Sequence, residues 1–338
     1  MPEFRKDPVT GRWVIIATER AKRPSAFAIE KHAPSEGPCP FCVNNESETP
    51  PEVLAYRHPG TGHNKPGWWL RVVTNKFPAL GVQDSVKRSG EGMYDLINGV
   101  GMHEVVIESP EHDLHVGDME VKQVEEILWA YRDRSIEMRK DRRLEYVMIF
   151  KNHLQDAGAT LDHPHSQIIA MPIVPKRVQE ELDGALRYFE YKERCVFCDM
   201  IDQELKDGLR IVTANEQFIV FFPYASRFPY ECWVLPRHHT SNFHDLQKNE
   251  VTEFAKALRE TMHRLKVVLR DPPFNWMLHT TPLRDGDNAY YHWHMEIIPK
   301  LTRPAGFEWG TGFYINPTSP EDAAKFLNED IESAQDVG

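Results

Sequence analysis

The 338-residue sequence has no apolar run of about 18 residues, so no stretch of it is long and apolar enough to span a membrane as a helix. Its opening, MPEFRKDPVTGRW, lacks the apolar core of a secretory signal peptide. It also lacks a G-x-x-x-x-G-K-[ST] loop and the paired acidic cluster of a magnesium site. It also lacks an excess of positive charge, because 51 Asp and Glu residues outnumber 40 Lys and Arg residues and give a net charge of −11. We therefore expect a cytoplasmic protein whose partners include neither a membrane nor a nucleic acid.

Cysteine is scarce too, with five residues, but four of them form two C-x-x-C pairs. The pairs are Cys39-Pro-Phe-Cys42 and Cys195-Val-Phe-Cys198. In a reducing compartment such pairs indicate metal binding or redox chemistry rather than a disulfide framework. A redox pair would open a helix after a strand, whereas these pairs stand among turn formers or charged residues, which favours metal. Cys232 lies in an apolar stretch and is interpreted as a core residue.

The two halves of the chain repeat the same order of features. Each half has a C-x-x-C pair, a histidine that follows an apolar run, a long helical pattern, a strand and an H-x-H motif. The interval from His112 to His163 is 51 residues, and the interval from His239 to His292 is 53. Self-similarity of this kind indicates an internal duplication.

The predicted fold is of the α+β class, because runs of strands surround one long amphipathic helix in each half. We expect a duplicated, pseudo-symmetric chain with two mostly antiparallel sheets, each carrying a long helix. The proposed domains are residues 1–173 and 174–338. A helix over residues 174–194 should link them, and a last helix should begin after a Ser cap in SPEDAAKFLNEDIESA.

Each C-x-x-C pair is followed by histidines in the same order. Two thiolates and two imidazoles form a typical tetrahedral zinc set, and four protein ligands leave no open position, so both sites should be structural. The predicted ligands are Cys39, Cys42, His112 and His163 in the first site, and Cys195, Cys198, His239 and His292 in the second. The spacing leaves His103 or His115 as alternatives in the first site, and His238 or His294 in the second.

The stretch HPHSQIIAMP contains two histidines, and their roles should differ. If His163 binds zinc, His165 is presented from an anchored strand on the same side. A neutral imidazole with one nitrogen hydrogen-bonded to a carbonyl group is a nucleophile for phosphorus. Gln167 could direct its amide N–H groups at phosphoryl oxygens. The second half has His294 and Glu296 instead, and a carboxylate would repel a phosphate. We therefore predict that His165 reacts and that only the first half holds a nucleotide.

Several segments together resemble the galactose-1-phosphate uridylyltransferase family, a branch of the histidine-triad superfamily. They are RKDPVTGRWVII, ERAKRP, the first C-P-F-C pair, FKN from Phe150 to Asn152, and AGATLDHPHSQ. The resemblance extends from about Arg5 to the C-terminal helix. It implies a ping-pong reaction in which His165 attacks the α-phosphorus of UDP-glucose and releases glucose 1-phosphate. The uridylyl group would then pass to galactose 1-phosphate.

The resemblance also implies roles for other residues. Gln167 matches a glutamine that contacts the transferred phosphoryl group. Further implied substrate contacts are Asn152 and Thr160 at the nucleotide phosphates, Asn75, Lys76 and Phe77 at the nucleoside, and Arg20 and Arg23 at the phosphates. In the family the two arginines act partly across a dimer interface, so a homodimer is expected.

Three departures from the family pattern bear on the specificity for the hexose and the base. Leu161-Asp162 precedes H-P-H where the family has Asn-Pro, and GFEWGTGFYINP has no match to the family's sugar-contacting lysine and glutamate. The family's second metal site uses a glutamate and histidines rather than C-x-x-C, which leaves iron as an alternative to zinc in the second site. The second-half pattern is closer to ADP-glucose phosphorylase, which moves an adenylyl group to phosphate with the same histidine. Bacterial-type uridylyltransferases resemble this pattern too, so both branches stay open. Adenylyl transfer to phosphate is the alternative prediction, and hydrolysis of a nucleotide sugar is a weaker one.

Overall fold

The computed structural model describes residues 1–22, 37–82 and 85–335. Arg23, one of the predicted phosphate contacts, lies outside these residues. The strands are β1 Glu3–Lys6, β2 Trp13–Ile16, β3 Glu52–Arg57, β4 Trp68–Thr74, β5 Arg88–Glu91, β6 Tyr94–Ile97, β7 Met102–Ile107, β8 Tyr146–His153, β9 His165–Met171, β10 Ile211–Ala214, β11 Phe218–Phe221, β12 Cys232–Pro236, β13 Phe274–His279, β14 His294–Pro299 and β15 Tyr314–Asn316. The helices are α1 Val121–Arg139, α2 Lys176–Lys192, α3 Val196–Asp207, α4 Lys248–Leu269, α5 Gly306–Thr311 and α6 Pro320–Gln335.

Ten of these strands form one continuous antiparallel sheet in the order β10-β11-β12-β14-β13-β8-β9-β7-β4-β3. The α+β class is confirmed, but the two predicted sheets are joined into one. The joint is the pairing of β8 with β13, which sets Asn152 opposite Asn275. Without this pairing, β8 and β13 would each be an edge strand with unpaired backbone N–H and C=O groups. Their pairing satisfies the hydrogen-bonding groups of both strands.

Two long helices cover one face of the sheet. α1 and α4 pack against each other, and their apolar residues share one core with the strands beneath them. α4 begins at a capping box, in which the backbone N–H of Gln247 donates to Glu250 Oε2 (2.6 Å). The helix face of β9 carries the buried residues Ser166, Ile168 and Ala170. Because side chains alternate along a strand, His165 and Gln167 lie on the other face.

The other face of the second half is covered by α2, α3 and the N-terminal segment. These elements share a second core, in which Val9 packs with Val178, Leu182 and Phe197. The predicted linking helix is thus confirmed as α2. The last helix, α6, also begins where predicted, and Ser319 Oγ accepts the N–H of Asp322 (3.1 Å) as its cap. No described helix is long and apolar enough to cross a membrane. The division at residues 173 and 174 stays a prediction.

Gly184 marks the closest approach between α2 and the N-terminal segment. A Cβ atom at this position would overlap the carbonyl oxygen of Val9 and lie 2.9 Å from its carbonyl carbon. We expect Gly184→Ala to lower the free energy of unfolding by about 1–3 kcal/mol, since overpacking forces the backbone apart. The gain in helix propensity, about 0.5–1 kcal/mol, is too small to reverse the sign. Denaturant unfolding at equilibrium measures the change.

Gly310→Ala is the matched control, because Gly310 also lies in a helix and a Cβ atom there would meet open space. The control should unfold at the same denaturant concentration as the unsubstituted chain or a higher one. If the Gly184→Ala protein is as stable as the control, α2 does not pack closely against Val9.

Candidate active site

The first predicted metal set comes together in the structure. One ligand atom from each of Cys39, Cys42, His112 and His163 lies within 4.8 Å of the other three. Nδ1 of His112 lies 3.4 Å from Cys42 Sγ, and Nδ1 of His163 lies 3.6 Å from the same sulfur. Nε2 of His163 donates to the carbonyl oxygen of Ser109 (2.8 Å), which leaves the Nδ1 lone pair facing the cluster. This is the arrangement that a metal-binding histidine requires.

The second predicted set repeats this geometry. Cys198 Sγ lies 3.4 Å from Nδ1 of His239 and 3.6 Å from Nδ1 of His292, and Cys195 completes the group. The other ring nitrogens donate to carbonyl oxygens, His239 to Asn288 (3.0 Å) and His292 to Pro236 (2.9 Å). The hydrogen bond between the two cysteines lowers the pKa of Cys195, with help from the two histidines, and raises the pKa of Cys198. One thiolate is thus favoured in the cluster, and thiolates are what a metal binds.

The alternative ligands left open by the sequence lie elsewhere. His103 contacts Gln167, and His238 Nε2 pairs with Glu250 (2.9 Å). One expectation about the cysteines was wrong, because Cys195 is the N-cap of α3 and its pair therefore opens a helix. That helix follows α2 rather than a strand, so the arrangement still differs from a redox pair.

His115, the other alternative in the first half, belongs to a separate cluster with His153 and Asp271. Both Nε2 atoms approach Asp271 Oδ1, at 3.6 Å from His115 and 3.3 Å from His153. Nδ1 of His115 accepts the N–H of Gly117 (3.0 Å). Burial and then the neighbouring His153 lower the pKa of His115 to about 3, so the ring is neutral with its proton on Nε2. A protonated nitrogen facing the cluster cannot bind a metal ion, so this group is a hydrogen-bonded cluster.

His165 is buried at the start of β9, and its tautomer is fixed. Nδ1 donates to the carbonyl oxygen of His163 (2.8 Å), and the ring stands edge-on to Phe41 at a centroid distance of 5.3 Å. Among residues 1–22, 37–82 and 85–335 nothing hydrogen-bonds to its Nε2. Burial, followed by the charge of Lys151, lowers the pKa of His165 and keeps the ring neutral. The lone pair on Nε2 is therefore available to attack an electrophile.

A buried ion pair lies beneath this histidine on the helix face of the sheet. Lys151 Nζ donates to Glu108 Oε2 (2.5 Å) and to the carbonyl oxygen of His165 (3.0 Å). Tyr131 Oη lies 2.6 Å from Ser166 Oγ, the next residue of the strand. The sequence did not reveal this support. Its only signal was a lysine that follows Val147 and Ile149 on one face of a strand, since a buried lysine requires a partner.

Gln167 is hydrogen-bonded to His103, which also contacts the segment predicted to bind the nucleoside, residues 75–77. Nε2 of His103 lies 2.8 Å from Gln167 Oε1 and 3.1 Å from Nδ2 of Asn75. The backbone N–H of Asn75 donates to the carbonyl oxygen of His103 (2.8 Å). The structure therefore joins two predicted substrate contacts through a residue whose role the sequence did not indicate. Because the oxygen of Gln167 is occupied by His103, its amide N–H groups are the ones left for a substrate.

The remaining predicted substrate contacts are less buried than His165. The register of β8 and β9, in which Phe150 pairs with Gln167, carries Asn152 to the level of His165 on the same face. Phe77 and Lys76 are exposed, and Thr160 and Arg20 are also exposed. In the part of the chain that the structure describes, no hydrogen bond or ion pair links Arg20 or Thr160 to His165.

The second half keeps the histidine but not its surroundings. Nδ1 of His294 lies 3.2 Å from the carbonyl oxygen of His292, as in the first half. Glu296 replaces the glutamine and pairs with Arg227 (2.5 Å), while His279 donates to Glu181 (2.9 Å). Burial raises the pKa of Glu296, but Arg227 and then His279 outweigh it and lower the pKa to about 2. The charged carboxylate at this position disfavours a phosphate.

Comparison with known proteins agrees with this geometry. A family model described as galactose-1-phosphate uridyl transferase, N-terminal domain, matches residues 1–175, and a model described as a domain of unknown function matches residues 110–338. ADP-glucose phosphorylase from Arabidopsis thaliana is 38% identical and covers 97% of this chain and 93% of its own. Galactose-1-phosphate uridylyltransferase from Thermotoga maritima is 30% identical, with 97% and 98% coverage.

A solved structure gives the same result for the fold. The crystal structure of the Arabidopsis ADP-glucose phosphorylase with bound ADP-glucose matches with a TM-score of 0.82 and 36% identity, and covers 97% of this chain and 99% of that one. The predicted family, fold class and enzyme class, a nucleotidyltransferase, are confirmed. The chain belongs to the galactose-1-phosphate uridylyltransferase family.

Proposed function

We propose that the protein is a hexose-1-phosphate uridylyltransferase that works through a uridylyl group carried on His165. One observation carries this proposal: Nδ1 of His165 donates to the carbonyl oxygen of His163, so the lone pair of the neutral ring is on Nε2. The substrates would be UDP-glucose and galactose 1-phosphate. The relative from Thermotoga maritima supports the assignment, because it is named a uridylyltransferase and matches this chain over 98% of its own length.

The proposed reaction has two balanced displacements. Nε2 of His165 attacks the α-phosphorus of UDP-glucose and forms a P–N bond. The P–O bond to the hexose phosphate breaks, and its electron pair leaves with glucose 1-phosphate. Galactose 1-phosphate then attacks the same phosphorus and breaks the P–N bond. Gln167 would donate amide N–H groups to the phosphoryl oxygens, where negative charge grows in each transition state.

The metal sites proposed for the two Cys2His2 clusters are structural. Bound zinc would supply a rigid cross-link among its four ligands, since no ligand position would be left for substrate. Cys39, Cys42, His112 and His163 would hold the first ion, and Cys195, Cys198, His239 and His292 the second. Thiolates favour zinc over harder cations in both clusters. The first cluster anchors His163, whose carbonyl oxygen fixes the His165 ring.

A second candidate function is adenylyl transfer from ADP-glucose to phosphate by the same histidine. The relative named ADP-glucose phosphorylase, at 38% identity, favours it. The second Cys2His2 cluster agrees with the resemblance to that branch. The nucleophile and the P–N intermediate are the same in both candidates, so they differ only in the base and in the acceptor. The homodimer and the cytoplasmic location stay predictions.

The nucleotide donor can be identified from the mass of the intermediate. Without acceptor, incubation with UDP-glucose should add one uridylyl group to the intact protein, because nothing discharges the P–N bond. Galactose 1-phosphate should then remove the added mass. Intact-protein mass spectrometry, with ADP-glucose and phosphate as the parallel pair, measures both steps.

An adduct only from ADP-glucose, discharged by phosphate, would replace the first function with the second. If neither donor gives an adduct while glucose 1-phosphate accumulates in water, the protein is a hydrolase and both transfer proposals fail.

Replacement of the nucleophile should abolish the adduct. His165→Asn should form no intermediate and should show no turnover above background, with an unchanged melting temperature, because the asparagine amide has no lone pair that can attack phosphorus. His294→Asn is the matched control from the second half and should still form the adduct. Retained adduct in His165→Asn, or its loss in the control alone, would move the nucleophile to another residue.

Metal content tests the two Cys2His2 sites separately. The purified protein should contain about two equivalents of zinc per chain, and Cys39→Ala and Cys198→Ala should each contain about one. Cys39→Ala should also melt at a lower temperature, because metal binding is coupled to folding. Cys232→Ala is the control, since Cys232 is buried away from both clusters, and it should keep both ions. Elemental analysis near zero for the unsubstituted protein would remove the zinc sites, and iron in the second would revise its metal.

A further inference from the structure

We propose that His103 is a positioning residue that sets the orientation of the Gln167 amide for nucleotidyl transfer. This inference rests on the proposed function, because it assigns Gln167 a contact with the phosphoryl group. His103 lies at the start of β7, on the strand next to β9. Gln167 pairs with Val105 and His103 pairs with Ile169, so His103 and Gln167 are diagonal neighbours on the same face of the sheet.

The protonation of His103 follows from its two hydrogen bonds. The backbone N–H of Ala79 donates to Nδ1 (3.1 Å), so Nδ1 must be an acceptor. In the neutral ring the proton is then on Nε2, which lies 2.8 Å from Gln167 Oε1 and donates to it. The neighbouring Asn75 cannot take this proton, because its Oδ1 accepts the N–H of Phe77 (2.8 Å) and its Nδ2 is itself a donor. Among the described residues, the acceptor that hydrogen-bonds to Nε2 of His103 is therefore the oxygen of Gln167.

This bond decides which end of the Gln167 side chain faces the substrate. With Oε1 bound to His103, the NH2 group is the end of the amide that is left to donate to phosphoryl oxygens. A flipped amide would set NH2 against the N–H of His103 and would turn a carbonyl oxygen toward the phosphate. Both contacts of the flipped amide are repulsive, so His103 favours the orientation that stabilises the transition state.

The same residue also holds the loop that follows β4. The backbone N–H of Asn75 donates to the backbone carbonyl of His103, and the backbone N–H of Ala79 donates to its Nδ1. The predicted nucleoside contacts and the predicted phosphoryl contact are thus both held by one residue. A nucleotide bound by residues 75–77 would meet an amide whose orientation is already set before it arrives.

A double-mutant cycle tests whether His103 acts through Gln167. The measured quantity is the rate of nucleotidyl-histidine formation in a single turnover, with the donor that labels the unsubstituted protein. His103→Phe keeps the ring size but removes the donor, and should slow this rate about 10- to 100-fold. Gln167→Ala should slow it by at least as much. The double variant should match Gln167→Ala within about twofold, since His103 has nothing left to orient.

His103→Gln is the rescue variant, because its amide can accept from Ala79 and donate to Gln167. It should recover most of the rate lost in His103→Phe, at equal melting temperatures. Slowing of the double variant by the product of the two single effects would overturn the proposal, and so would an unchanged rate in His103→Phe. If Gln167→Ala labels at the normal rate, the proposal fails while the His165 chemistry stands. If the unsubstituted protein is never labelled, the proposed function itself fails.

Discussion

The carbonyl oxygen of His163 decides which nitrogen of the next histidine can react. It accepts the Nδ1 proton of His165 at 2.8 Å and so leaves the lone pair on Nε2. His163 is itself held at both ring nitrogens, by the Ser109 carbonyl and by the first Cys2His2 cluster. From the other face of the sheet, Lys151 donates to the carbonyl oxygen of His165. The proposed nucleophile is thus fixed by groups on several other elements, so little reorganisation would be left for the reaction itself.

Comparison of the two halves separates the features that hold the histidine in place from the residue that would contact a phosphate. Both halves keep the Cys2His2 cluster, the H-x-H backbone contact and a phenylalanine beside the second histidine, at 5.3 Å in the first half and 5.0 Å in the second. They differ at the residue two positions later. Gln167 is neutral and held by His103, whereas Glu296 is charged and held by Arg227. The same scaffold therefore has one face suited to phosphate and one that is not.

The sequence allowed prediction of the features that appear as repeated motifs or as alternation along a strand. Two C-x-x-C pairs with matched histidine intervals identified both clusters, and period-two alternation placed His165 and Gln167 on one face. It could not predict contacts between distant segments. The joining of the sheets through β8 and β13, the pairing of Lys151 with Glu108, and the bond from His103 to Gln167 each depend on strand order. Strand order is set by long-range pairing, which leaves no local pattern in the chain.

The most direct test of the account is to find the atom that carries the nucleotide. Phosphorus–nitrogen coupling can be measured by NMR on the intermediate formed by protein with isotopically labelled histidine. The account predicts coupling from the α-phosphorus to Nε2 of His165, the nitrogen left free by the His163 carbonyl. Coupling to Nδ1 of His165 would contradict the assigned tautomer. Coupling to any other histidine, His294 included, would contradict the assignment of the reaction to the first half.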